Sequence, residues 1–236
     1  MKKYKHLFFD MDMTIAPARL PILPEMFELL SSLSEDIIIV SGQTAEKIAW
    51  QTNNLPAFYL GNNGNHAFSP TGKELWKNPN LNNKEREEIL AHTDKLKVLL
   101  DFIPNEDWSP VEDRGSQITF SPIGNTAPVE LKKQFDPDRS KRMTMMKKVP
   151  FISETIMMKI GGSTSFDYFP IKGHKGSNVA KLIKLMNWNK DDCVYYGDGL
   201  YQGGNDEVVI GVIDTIPVED HIDTYTKLNA QFNKHT

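Results

Sequence analysis

Three short apolar runs stand out along the chain: Leu7-Phe8-Phe9, Ile37-Ile38-Ile39-Val40 and Val194-Tyr195-Tyr196. Each is bounded by polar or turn-forming residues, and none alternates with polar positions. Runs of this kind predict strands buried on both faces, as in a parallel sheet. Between the first two, Met26, Phe27, Leu29, Leu30 and Leu33 recur at helical spacing and predict a helix over 24–33. Val179, Leu182, Ile183 and Leu185 predict another over 177–186, just ahead of the third run. Strands alternating with helices predict a Rossmann-like, doubly wound α/β core. Such sheets bind ligands beyond the carboxyl ends of their strands, where Asp10, Ser41 and Asp198 stand.

The middle of the chain has a different rhythm. A helix is expected over 83–103 with Asn83 as its cap, and a second, rich in Met and Lys, over 138–148. Strands are expected over 117–121, 156–160 and 165–169. These elements form a second α/β unit inserted into the first. The expected domains are a core of residues 1–77 and 171–236 and an inserted cap of residues 78–170.

Composition narrows the class. At 236 residues, with 39% hydrophobic and 25% charged positions, the chain has the balance of a globular protein. A net charge of -4 gives no electrostatic reason to expect nucleic acid or an anionic membrane as partner. The basic stretch from Lys132 to Lys148 is interrupted by Asp136 and Asp138, lacks aromatics between its cations, and reads as a solvated helix face. A lone cysteine, Cys193, excludes an intrachain disulfide. With no signal-like segment or membrane-length apolar run, it points to the cytoplasm.

The chemistry lies where the apolar runs end. In Asp10-Met11-Asp12-Met13-Thr14, alternate residues of an extended segment share a face, so two carboxylates crowd one spot. A divalent cation relieves their repulsion; one carboxylate can then attack phosphorus while the other donates a proton. Alone, the block reads equally well as a turn after a strand. Gly197-Asp198-Gly199 and Gly203-Gly204-Asn205-Asp206 add hard oxygen ligands suited to magnesium. Ser41-Gly42 offers hydrogen bonds to a phosphoryl group or, more blandly, a helix cap. Lys175 could neutralise nucleophile and phosphate together or be a surface lysine. His66, after Asn62-Asn63-Gly64-Asn65, reads as an incidental residue of a turn.

The order DxDxT, strand-terminal Ser, Lys before a helix, and GDxxxxGGND resembles the four motifs of the haloacid-dehalogenase superfamily, across essentially the whole chain. The segments DMDMTIAPAR (10–19), SPIG (121–124), GGSTSFDYFP (161–170) and GDGLYQGGND (197–206) resemble its sugar-phosphate (IIB) branch, closest to eukaryotic-type phosphomannomutase and its bacterial relatives. The resemblance implies that Asp10 is the nucleophile, Asp12 the general acid/base, and Lys175 their catalytic partner. It implies that Thr14, Ser41, Gly42 and Lys175 hold the phosphoryl group, and that Mg2+ is held by Asp10, the Asp12 carbonyl and Asp198, with Asn205 and Asp206 nearby. Arg19, Arg114, Ser165 and Asp167 are the implied substrate contacts, and a homodimer through the cap is the implied assembly. Two positions depart from the pattern. Met13 stands where glycine is usual, and Asn125 follows SPIG where the mutases carry a phosphate-binding arginine. The expected function is therefore hydrolysis of a small phosphorylated sugar, with phosphohexomutase as the alternative and a catalytically silent binding module as the third reading.

Overall fold

The computed structural model describes residues 3–232. The chain divides into two compact units: residues 1–78, 173–202 and 206–236, and residues 79–172 with 203–205. In the first unit, β1 (His6–Phe9), α1 (Pro24–Ser32), β2 (Asp36–Val40), α2 (Ala45–Gln51), β3 (Phe58–Gly61), β4 (His66–Phe68) and β5 (Glu74–Lys77) come first. The second unit follows with α3 (Asn83–Lys97), β6 (Val111–Asp113), β7 (Ile118–Phe120), α4 (Val129–Phe135), α5 (Ser140–Lys148), β8 (Ile156–Gly161) and β9 (Ser165–Pro170). The chain then completes the first unit with α6 (Lys175–Met186), β10 (Cys193–Gly197), β11 (Asp214–Pro217) and α7 (His221–Phe232).

The first unit's sheet runs β11-β10-β1-β2-β3-β4-β5. Its first five strands in that order are parallel, and β4 and β5 extend the edge antiparallel. The apolar runs of β1, β2 and β10 lack alternation because both faces are covered. Leu7, Phe9, Ile37, Ile39, Val194 and Tyr196 pack with Met26, Leu29, Leu30, Ile48 and Leu228 of α1, α2 and α7. Phe8, Ile38, Val40, Cys193 and Tyr195 pack on the other face with Val179, Leu182 and Ile183 of α6. The turn after β3 is tied to the start of α6 by asparagines: Asn178 Nδ2 donates to the Asn63 carbonyl (2.9 Å) and Asn65 Nδ2 to that of Gly173 (2.8 Å). The Asn62–Asn65 turn thus docks α6; His66 beside it pairs with Glu74 at 2.7 Å.

In the second unit an antiparallel sheet, β6-β7-β9-β8, stacks its apolar face on α3 and α5. Ile89 and Leu96 of α3 and Met145 of α5 meet Ile118, Phe120, Phe166 and Tyr168. The alternate residues Gln117, Thr119, Ser121, Ser165 and Asp167 line the other face, and all five are buried. Several local expectations need correction. The cap of α3 is Asn82, not Asn83: its side chain accepts the Glu85 N–H while Glu85 accepts the Asn82 N–H, a reciprocal capping box. The helix ends at Lys97 rather than 103, because Leu99 and Leu100 switch to tighter bonds three residues back. The basic stretch is not a solvated face throughout. Lys132 and Arg142 are buried, the former on α4, a short helix the pattern did not announce.

Among the described residues, no helix is long and apolar enough to cross a membrane.

Candidate active site

Asp10 follows the last residue of β1, and its backbone N–H donates to the Tyr196 carbonyl of β10 at 3.0 Å. The β1–β10 pairing thereby sets two segments side by side, Asp10–Thr14 and Gly197–Asp198. They are joined again where the Asp198 N–H donates to Thr14 Oγ1 at 3.1 Å. Lys175 is the first residue of α6, whose N-cap is His174: its Nδ1 accepts the Ser177 N–H at 3.1 Å. That start places the Lys175 ammonium in the buried centre of the site, 2.6 Å from Asp10 Oδ1 and 2.7 Å from Asp206 Oδ1.

Asp206 carries three donors. Lys175 and the Tyr195 hydroxyl (2.7 Å) share Oδ1, and the Gly199 N–H (3.1 Å) takes Oδ2. Gly197 is required here by space, since a Cβ would lie 2.5 Å from Asp206 Oδ2. Burial, aided by Asp206 and Asp10, raises the Tyr195 phenol far above its ordinary pKa and keeps it a donor. Burial alone would lower the Lys175 ammonium, but the Asp10 and Asp206 carboxylates outweigh it and hold the lysine charged. For Asp10, burial raises the pKa against the pull of Lys175, with Asp206 and Asp198 adding to the rise.

Beside burial, all three are raised by neighbouring carboxylates, the mark of a cluster rich in negative charge. Carboxylate oxygens of Asp10, Asp198 and Asp206 lie within 4.8 Å of one another. The three carboxylates outnumber the one ammonium bonded among them, and an all-oxygen donor set of this kind suits magnesium. The residues present therefore fit such an ion.

The Asp12 carboxylate belongs to a separate group. Its Oδ1 accepts the Gln51 side-chain amide at 2.7 Å and the Arg19 backbone N–H at 2.6 Å. Between them Met13 adopts a left-handed backbone (φ 64°), a geometry that favours glycine and makes the usual residue at this position intelligible. Ser41 is buried at the end of β2 and accepts the Gln43 N–H at 3.1 Å. It does not cap α2; Thr44 does, accepting the Lys47 N–H. Gly42 follows Ser41 in this turn.

In the second unit, Arg114 donates to Glu112 at 2.8 Å. Asp167 Oδ1 accepts the Thr119 hydroxyl at 3.0 Å, and Ser165 Oγ donates to the Gly161 carbonyl at 2.7 Å. Asn205 groups with this unit, where Ile160 N–H donates to the Gly203 carbonyl at 3.2 Å. Sequence reasoning missed Gln51 and Tyr195. Gln51 carries no signal, standing at the end of a short helix just ahead of the polar Thr52, Asn53 and Asn54. Tyr195 was read only as strand filling, although a hydroxyl two residues before Gly197 was a signal available to it.

The sequence profile described as eukaryotic phosphomannomutase matches residues 27–234. The chain belongs to the eukaryotic phosphomannomutase family. Its relatives include a phosphomannomutase of Schizosaccharomyces pombe, 28% identical over 96% of this chain and 94% of that protein. Another, from Dendrobium officinale, is 26% identical over 85% of this chain and 82% of that protein. Among solved structures, a haloacid dehalogenase-like hydrolase from B. subtilis shares the fold with a TM-score of 0.66 at 13% identity, covering 95% of this chain and 99% of that one. An IMP-bound, N-terminally truncated IMP-nucleotidase of Plasmodium falciparum does so with 0.69 at 19% identity, covering 98% and 68%. Family and fold together place the chain in the haloacid-dehalogenase superfamily.

Proposed function

We propose that this member of the phosphomannomutase family moves a phosphoryl group between the 1- and 6-positions of a hexose through a phosphorylated Asp10. The observation that carries the chemistry is the Lys175 ammonium set between Asp10 and Asp206 in a buried, net-negative cluster. The whole-length relatives named phosphomannomutase favour the mutase outcome over the hydrolysis expected from sequence.

In this reading an Asp10 carboxylate oxygen attacks phosphorus and the bond from phosphorus to the sugar oxygen breaks. Asp12, oriented by Gln51 and the Arg19 N–H, gives its proton to the departing oxygen. The return step runs the other way. A hexose 1-phosphate gives its 6-hydroxyl proton to Asp12 and attacks the phospho-aspartate, which a hexose 1,6-bisphosphate supplies at the start. This regenerates Asp10 and a 1,6-bisphosphate, and Asp10 then takes the phosphate at position 1 to leave the hexose 6-phosphate. Thr14, Ser41, Gly42 and Lys175 would receive the phosphoryl oxygens, and Arg19, Arg114, Ser165 and Asp167 the sugar and its remaining phosphate. A magnesium ion held by Asp10 and Asp198, with Asp206 beside them, would add positive charge against the phosphoryl oxygens.

One observation favours hydrolysis as a second reading. The Asn125 side chain donates to the carbonyls of Ser109 (2.9 Å) and Pro110 (3.4 Å), so this position braces a loop and supplies no cation. Water would then replace the sugar hydroxyl. Phosphorus NMR of mannose 1-phosphate with enzyme and magnesium, with and without a hexose 1,6-bisphosphate, separates the two. Mannose 6-phosphate appearing only with the bisphosphate supports the mutase. Steady release of inorganic phosphate in both samples overturns it in favour of hydrolysis.

A further inference from the structure

Arg142 is the bulkiest side chain to be fully buried among the described residues. Its Nε donates to Asp136 Oδ2 at 2.6 Å, and both side chains are shielded from solvent. Asp136 is itself fixed, accepting the backbone N–H groups of Lys141 (2.9 Å) and Arg142 (3.3 Å) in the first turn of α5. From this anchor Arg142 Nη1 reaches three carbonyl oxygens of the turn between β8 and β9: Gly161 at 2.9 Å, Gly162 at 3.1 Å and Ser165 at 3.2 Å. A buried ion pair is a weak source of net stability, since apolar replacements of equal volume do as well. What a planar guanidinium supplies is direction, fixing several acceptors against one rigid group.

The turn it fixes leads into Ser165 and Asp167. Ser165 Oγ gives its single proton to the Gly161 carbonyl, one of the three that Arg142 holds. The oxygen of Ser165 is therefore left to accept from any ligand. Asp167 is likewise an acceptor when ionised, and a side chain at Gly161 would run into its carboxylate. Acceptors such as these recognise hydroxyl donors. We infer that Arg142 is a positioning residue, clamping the β8–β9 turn so that Ser165 and Asp167 accept hydrogen bonds from the hydroxyls of a neutral polyol face. This rests on the proposed hexose-phosphate reading and extends it, because it gives Arg142, a residue that is not among the reacting groups, a part in holding that reading's sugar contacts.

The test compares wild type with Arg142→Lys, which keeps a cation beside Asp136 but lacks the fork. A second variant, Arg142→Met with Asp136→Leu, removes both charges at similar volume should the first fail to fold. Hydrogen exchange needs no substrate, and amides 162–165 should exchange about 10-fold faster in either variant. KM for mannose 1-phosphate should rise about 10- to 100-fold, while kcat/KM for p-nitrophenyl phosphate, which has no sugar hydroxyls, should stay within about twofold. Unchanged exchange, an unchanged KM, or an equal fall for both substrates would overturn the clamp. Wild type inert toward every hexose phosphate would overturn the hexose-phosphate reading instead, leaving the exchange rates to decide the clamp alone.

Discussion

Lys175 and Arg142 are both buried cations beside buried aspartates, yet their surroundings differ in one respect that separates a reaction site from a brace. Lys175 bonds Asp10 and Asp206, two of three carboxylates gathered closely enough to hold a cation, so negative groups outnumber it. Arg142 faces one carboxylate and three neutral carbonyls, so its charge is balanced without any visitor. A buried charge deficit costs stability unless something fills it; a buried neutral network does not wait for anything. The first arrangement is built to receive a cation and a phosphoryl group, the second to hold a shape.

That contrast can be broken in several ways. Asp10→Asn should cost the largest factor, about 10,000-fold or more in turnover measured by phosphorus NMR, because the nucleophile is gone. It should not lower the thermal midpoint, since it removes one of the surplus charges; a drop of several degrees would mean that Asp10 is structural. Lys175→Met should lose about 3–5 kcal/mol in urea denaturation without magnesium, and millimolar magnesium should restore part of it. Arg142→Met should lose a comparable amount that magnesium does not restore; equal rescue of both would erase the distinction drawn between them.

Smaller effects sharpen the account of the proton donor. Asp12→Ala should lower kcat by about 100- to 10,000-fold, and Gln51→Ala by about 10-fold, since the latter only frees Asp12 to turn. An unchanged kcat in Gln51→Ala would remove that residue from the mechanism. The smallest expected effect lies in the second unit. His92 Nε2–H donates to the Val149 carbonyl (3.0 Å), and Nδ1 shares a hydrogen bond with the Tyr168 hydroxyl (2.8 Å). Burial lowers its pKa below the ordinary value of 6.5. The neutral form is favoured by folding, so its contribution is complete above pH 6.5 and declines as pH falls toward the depressed folded value. The thermal midpoint of wild type should therefore fall more between pH 7 and pH 5 than that of His92→Gln; equal slopes would rule the histidine out.

The same contrast explains what the sequence disclosed. Asp10, Ser41 and Asp198 interrupt or follow apolar runs, so a polar residue at a strand end was conspicuous, and the parallel core could be read from the runs themselves. Lys175 was legible only by company, because nothing in its neighbours tells a buried helix start from an exposed one. The Asp136–Arg142 pair was hidden inside a stretch of scattered charges that looks solvated until α4 and α5 bury two of its cations. Gln117, Thr119 and Ser121 alternate with Ile118 and Phe120, the signature of a strand with one wet face, although the polar face proves buried as well. Antiparallel β4 and β5 were not read at all, being short and weakly apolar.

The pairing of β1 with β10 also has a consequence for how the chain is made. His6 lies opposite Cys193, so an inner pair of the first sheet joins residues far apart in the sequence. On the ribosome, β1 must wait through the synthesis of the whole inserted unit before its neighbour exists. The inserted unit is continuous from 79 to 172 apart from three residues, so its sheet can close first. Until β10 emerges, one edge of β1 and its apolar side chains stay unpaired, an interval in which a nascent chain depends on chaperones or on speed.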